Sequence, residues 1–253
     1  MKKHFLNIGL LFAIGLATVA FVSCKTDKAD ESFVIKAENV INSSAEIATV
    51  KIKLPNEEIR GELMPSLPFL QTPFQNNGFE LTLSGSIPIE NMRFVTEEFN
   101  DYGFEFNEFF ISDTNAKWFQ LTDERMIQTF DENDNQIGIV NFVHTSENEN
   151  EWRKWRVGWI YVDRDVVVRI EEEFDNEINV QTHITSLVLL KGWNTVYMMT
   201  EVISSKGKLT TVMTADRPFD VSFEWVAINE VDFISEAWMR IFDMWQNFPY
   251  LDE

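Results

Sequence analysis

Trp152, Arg153, Lys154, Trp155 and Arg156 form the one locally basic, aromatic segment of an otherwise acidic chain. Flat indole faces beside Arg and Lys suit a sugar ring or an acidic peptide, through stacking, cation–π attraction and charge. The same segment also reads as a strand start, with Trp155 facing a core and its charges neutralised by surrounding acids. Trp152, Arg153, Trp155 and Arg156 are therefore the candidate ligand-binding residues, whereas Trp193, Trp225, Met198 and Met199 are expected to fill a core. Glu171, Glu172, Glu173 and Asp175 are the densest carboxylates in this half of the chain. A glycosidase needs two carboxyls roughly 5–10 Å apart in a cleft, one with a raised pKa. A run beside a turn reads instead as the solvated end of a hairpin, so no catalytic residue is assigned.

Asp131, Asn133 and Asn135 place oxygen ligands at alternate positions, as calcium requires. Gln136 then stands where a calcium loop needs Gly, and Phe142 where it needs a bidentate Glu. A turn built on Asp and Asn accounts for the same residues, so no metal is expected. Beyond His4 only His144 and His183 remain, each in a strand-like stretch, and neither a triad nor a three-histidine metal site can be built from them. Gly207-Lys208 is followed by Leu209 where a phosphate loop needs Ser or Thr, and neither a Gly-x-Gly-x-x-Gly nor a Gly-x-Ser-x-Gly occurs. No cofactor follows from the sequence. With 41 Asp and Glu against 21 Lys and Arg, a net charge of -20, the chain would repel nucleic acid, whose binding depends on basic side chains displacing counterions.

The elements that must position these residues are strands. Ala48, Val50, Ile52 and Leu54 alternate with polar residues, and Phe79 to Ser84 repeats the pattern at a period of two. Pro55, Pro65, Pro68 and Pro73 make residues 56–77 mostly connection. Ile89 to Phe99 fits either a helical turn or a strand, and Phe104, Phe106, Phe109 and Phe110 are expected in the core. A meander then runs from Trp118, through a turn at Asp131–Asn135, a strand at Ile137–Val143 and a polar loop from Ser146. Trp155, Val157, Trp159 and Tyr161 share one strand face, with Ile160 and Val162 on the other. Asp163-Arg164-Asp165 turns into Val166–Ile170 as a hairpin. Further strands are expected at 186–190, 194–203, 209–215 and 221–228. Such short spacings favour antiparallel over parallel pairing. The predicted fold is an all-β antiparallel meander forming a sandwich or barrel. One amphipathic helix closes it at 231–248, where Val231, Ile234, Trp238, Ile241, Trp245 and Phe248 recur at helical steps.

The single Cys sits at position 24, after basic Lys2 and Lys3 and an apolar run from Phe5 to Val22. That layout is a secretory signal, and the closing Phe21-Val22-Ser23-Cys24 resembles a bacterial lipobox, with Phe21 in place of the usual Leu. The resemblance implies that residues 1–24 are a lipoprotein signal whose Cys24 is acylated. Lys25 to Ser32 would be a flexible tether, and Lys25 followed by scattered acids is similar to the start of surface-displayed lipoproteins of Bacteroidota. Residues 33–253 would then form the β domain, as strands and a long loop over 33–111, the meander over 116–228 and the terminal helix. Asn77-Gly78-Phe79-Glu80-Leu81-Thr82-Leu83 and Leu190-Lys191-Gly192-Trp193-Asn194-Thr195-Val196-Tyr197 resemble strands of uncharacterised lipoproteins of the same phylum. The strand count and terminal helix also have a calycin or lipocalin-like outline.

With no second Cys, disulfides and thiol chemistry are excluded, and the core must hold the fold. The expectation is a lipoprotein held in the cell envelope at the outer membrane, on its periplasmic or surface face, attached to the membrane by lipid on Cys24. Its expected role is non-catalytic binding of a glycan, a small apolar ligand or an envelope protein. A structural or assembly component without a small ligand, and a carboxylate-based hydrolase, are the alternatives.

Overall fold

A computed structural model describes residues 32–52, 70–83, 105–122, 126–148, 150–175 and 180–229. The leader with Cys24, most of the tether, the stretch 89–99 and the expected terminal helix lie outside the described residues. Within them the chain is all-β, an antiparallel-rich sandwich, as its alternating pattern requires.

Two forked hairpins organise it. In the first, β8 (Gln136–Glu147) and β9 (Glu151–Val162) pair only near their turn, from Val143↔Arg156 to Glu147↔Trp152. Beyond that the two diverge. On the edge so freed, β8 pairs with β7 (Ile127–Phe130) and β9 with β6 (Trp118–Leu121), while β14 (Glu224–Asn229) takes the other edge of β8. The β8 branch continues through β2 (Thr49–Ile52) to β3 (Gln71–Pro73). A separate antiparallel pair, β1 (Phe33–Ala37) with β4 (Phe79–Leu83), adds Ile35, Phe79, Leu81 and Leu83 to the core between the branches. There Trp225 stacks on Phe142 at 4.8 Å between ring centroids and on Trp159 at 6.4 Å, so Trp225 holds its expected core position, while Trp193, half-buried, packs against that core. Gly138 marks how closely β14 lies along β8, since a Cβ there would lie 2.4 Å from the carbonyl oxygen of Ile228.

The second fork involves β11 (Val180–Leu189) and β12 (Gly192–Ile203), joined by only Leu190 and Lys191 yet not neighbours. Between their open ends lies β13 (Lys208–Thr214), antiparallel to β12 and parallel to β11. That parallel pair departs from the expected antiparallel pairing; it arises because β13 re-enters an opened hairpin rather than adding at an edge. The path runs β6-β9-β12-β13-β11 and ends with β10 (Val166–Asp175) and β5 (Glu105–Ile111).

The expected hairpin of β9 and β10 is corrected in the same way: the turn at 163–165 exists, but the two strands do not pair. Three residues reach at most about 14 Å, whereas strands four spacings apart in a flat sheet would stand about 19 Å apart. The sheet must curl, bringing β6-β9-β12 over β11-β10-β5. Between them Ile160, Val162 and Val196 meet Val166, Val168, Leu187 and Leu189, each at most 2% exposed.

Three connections close this end: 163–165, 190–191 and 112–117. Their polar groups bind one another. Asp163 Oδ1 accepts from the Lys117 amide at 2.9 Å, Asp165 Oδ1 from the Lys191 amide at 2.8 Å, and Ser112 Oγ from the Val167 amide at 2.9 Å. Arg164 reaches both Asp113, at 3.2 Å, and Asp163, at 3.0 Å. We refer to this end as the clasp.

Candidate functional site

Away from the clasp, the curled face changes character. Strand pairing aligns Lys154 of β9, Thr200 of β12, Thr211 of β13, His183 of β11, Glu172 of β10 and Phe106 of β5 in one row across six strands. Because side chains alternate along each strand, the whole row shares the face that carries Ile160, Val168 and Leu187. The row nearer the clasp holds Arg156, Met198, Met213, Thr185, Ile170 and Phe109; the row beyond holds Trp152, Val202, Leu209, Gln181 and Phe174. A polar band thus crosses an apolar face between two mostly apolar rows.

Glu172 is the unusual member, a carboxylate only 8% exposed. Burial pushes its pKa up, with the neighbouring His183 opposing the rise. His183 Nδ1 is hydrogen-bonded to the Thr211 hydroxyl. Beside Glu172 the β10–β5 register slips, so that Glu171 faces Glu108 while Glu172 faces Phe106, leaving Asn107 as the extra residue. Bulges of this kind re-aim side chains, and this one puts Phe106 and Phe109 on the same face, edge to face at 5.6 Å. Phe104 lies outside the described residues, and the expected core placement is therefore corrected for Phe109 and Phe110, which are 43% and 47% exposed. They sit on an outer strand, on opposite faces of it.

Both faces carry charge. On the reverse side of these strands lie Glu108, Glu151, Glu171, Glu173, Asp175 and Glu201, together with Arg153, Arg169 and Lys208. The inner face carries Lys154, Arg156 and His183 with Glu172 on β5 and β9–β13, and the strands paired beyond β9 add Glu147 of β8, opposite Trp152, and Glu224 of β14, opposite Val143.

The four residues singled out from the sequence alternate along β9, which divides them: Trp152 and Arg156 face inward, Arg153 and Trp155 the reverse side. Arg153 is engaged there by Glu151 and Glu201, with its Nε 2.9 Å from Glu201. The carboxylate run forms the last part of β10, where it pairs with the start of β11, and only Glu172 of it turns inward. Asp131 forms the expected turn, its Oδ1 accepting from the amides of Asn133 and Asn135 at 2.8 Å each. His144 is a satisfied strand histidine, its Nδ1 2.9 Å from the Ser222 carbonyl. Among the described residues no cluster of three or more His, Cys, Asp or Glu could hold a metal ion.

No family model, no curated protein and no solved structure matches the chain. The reading of the site therefore rests on its own geometry.

Thr200 and Thr211 were not picked out from the sequence, and Lys154, His183 and Glu172 were named there without being assigned to a site. A signal existed for one of them. Val166, Val168, Ile170 and Phe174 keep a period of two through Glu172, which places that carboxylate on an apolar face. The other four become neighbours only through pairing between strands distant in sequence.

Proposed function

We propose that this chain is a lipid-anchored envelope protein, held through acylated Cys24, whose inner sheet face binds a small ligand with an apolar body and does not transform it. The observation that carries the reading is the polar band between half-buried Met, Val, Leu, Ile and Phe side chains, because binding sites are mostly apolar surfaces with a few convergent polar groups. The division of Trp152 and Trp155 between two faces weighs against a shared flat platform for a sugar. Catalysis finds less support: within the polar band Glu172 is the single carboxylate, where a glycosidase requires two.

The protein, titrated with dodecanol and separately with an oligosaccharide panel while Trp emission is followed, should respond to the alcohol. A response to sugars alone would replace the apolar ligand with a glycan. A second reading is an envelope protein partner, favoured by Val188 and Leu190, which are 62% and 64% exposed at the clasp end. Substituting both with Ser would then abolish co-purification of an envelope protein while leaving dodecanol binding intact.

A further inference from the structure

β5 ends the sheet path, and among the described residues no strand pairs with its outer edge. We propose that this edge pairs with the same edge of a second copy of the chain, antiparallel about a two-fold axis through Phe110, so that two copies share one continuous sheet. The inference stands apart from the ligand reading.

The backbone sets the register. The Ser112 amide donates to the Val167 carbonyl at 2.9 Å, in step with the pairs Ile111↔Val168 and Phe110↔Arg169. Antiparallel pairs alternate between those that exchange hydrogen bonds and those that do not. Ser112, Phe110 and Glu108 therefore turn their amides and carbonyls towards β10, whereas Ile111 and Phe109 turn theirs outward. These free groups lie symmetrically about Phe110. A two-fold axis there sets Phe109 of each copy opposite Ile111 of the other, so each free amide and carbonyl of both residues meets a partner. Phe110 then faces its own counterpart as the close pair, about 4.5 Å between Cα atoms.

The side chains agree with the backbone. Phe110 is exposed on the reverse face and Phe109 on the inner face. One pairing covers both: Phe110 meets Phe110 on one face, and on the other Phe109 meets Ile111, which packs against the clasp core. Aromatic and β-branched residues are favoured partners across strands.

Charge chooses between registers. A chain of net charge -20 repels its copy, so a shared edge must keep acids apart. About Phe110, Glu108 faces Ser112, whose hydroxyl accepts from the Val167 amide and keeps its own O–H to donate. An axis at Phe109 also matches the backbone but sets Glu108 against Phe110, and one at Ile111 sets Phe109 against Asp113. The bulge at Asn107 ends the regular edge on its other side, as bulges do where a sheet must stop pairing. Because the contact is the same surface on both copies, association closes at the dimer.

The test uses the full chain in membranes of the cells that make it, oxidised with copper phenanthroline and resolved without reductant. Phe110→Cys sets two thiols across a close pair, within disulfide reach. The two thiols of Glu108→Cys stand about 14 Å apart along the strands. Phe110→Cys should give about tenfold more disulfide-linked dimer than Glu108→Cys, because geometry this specific forbids the second bond; wild type fixes the background from Cys24. Equal yields from the two variants report random collision and overturn the proposal, as does no dimer from Phe110→Cys. A larger yield from Phe109→Cys than from Phe110→Cys overturns the register. Adding Phe109→Lys to Phe110→Cys should cut the dimer severalfold by removing the contact with Ile111, and an unchanged yield overturns the pairing. Should Phe109→Lys lose the far-ultraviolet circular dichroism of wild type, Phe109→Thr is put to the same comparison.

Discussion

The two ends of one curled sheet treat their carboxylates in opposite ways. At the clasp, Asp163 and Asp113 are kept charged. Burial disfavours the Asp163 carboxylate, but hydrogen bonds from Arg164 and the Lys117 amide outweigh it, and the Asn115 amide with Arg164 does the same for Asp113, so both pKa values fall below the ordinary range. At the polar band, Glu172 has a buried site with His183 on the adjacent strand, and burial raises its pKa. The clasp spends its polar groups on holding three connections together. The band instead sets its polar groups in one row across six strands, between two mostly apolar rows.

The difference predicts that stability resides at the clasp. Leu187 is fully buried in its core, and Leu187→Ala should cost about 2–5 kcal/mol in chemical denaturation through lost burial and the cavity left behind. Leu209→Ala, at a half-buried position flanking the band, should cost clearly less. The reverse ranking would break the comparison outright.

Next in size is the clasp's own bonding. Asp163→Ala leaves the Lys117 amide without its acceptor and Arg164 without its main partner, for an expected loss of about 1–3 kcal/mol at neutral pH. The sign with pH is fixed. A carboxyl whose folded pKa lies below its unfolded value contributes stability that is complete above the unfolded pKa, about 3.9, and disappears as pH falls through the folded one. The gap between wild type and Asp163→Ala should therefore narrow under acid. A gap that stays constant from neutral to strongly acidic pH would assign the loss to packing instead.

How much of this was legible in the sequence follows from the same contrast. The clasp's turn at 163–165, the opposite faces of Trp159 and Ile160, and the Asp131 turn are local, set by residues adjacent in the chain, and they were read correctly. What β9 and β10 pair with is not local. The alternation of Val166, Val168 and Ile170 specifies which side chains share a face but not which strand lies alongside. A parallel partner inserted into an opened hairpin leaves no mark on either flanking sequence. The band depends wholly on such pairings, since Lys154 and Glu172 meet in one row only through β12, β13 and β11. The split of Trp152 and Trp155 could have been foreseen, because residues three apart on one strand face opposite ways. The bulge at Asn107 could not, as it depends on the register of β5 against β10.

The smallest expected effect has the opposite sign and sharpens the comparison most. Glu172 is flanked on β11 by His183 and on β5 by Phe106, with Lys154 and Arg156 on the same face of β9. A carboxyl whose folded pKa is raised contributes its stability below the unfolded pKa, about 4.3, and that stability is lost as pH climbs through the folded value. Glu172→Gln keeps the shape and hydrogen-bonding capacity but cannot ionise. Its melting temperature should match wild type near pH 4 and exceed it at pH 7, whereas Asp163→Ala should fall furthest behind at pH 7. If Glu172→Gln proves less stable than wild type at neutral pH, the ionised carboxylate has a partner strong enough to repay its burial. The band would then be a second structural clasp, and the contrast between the two ends would disappear.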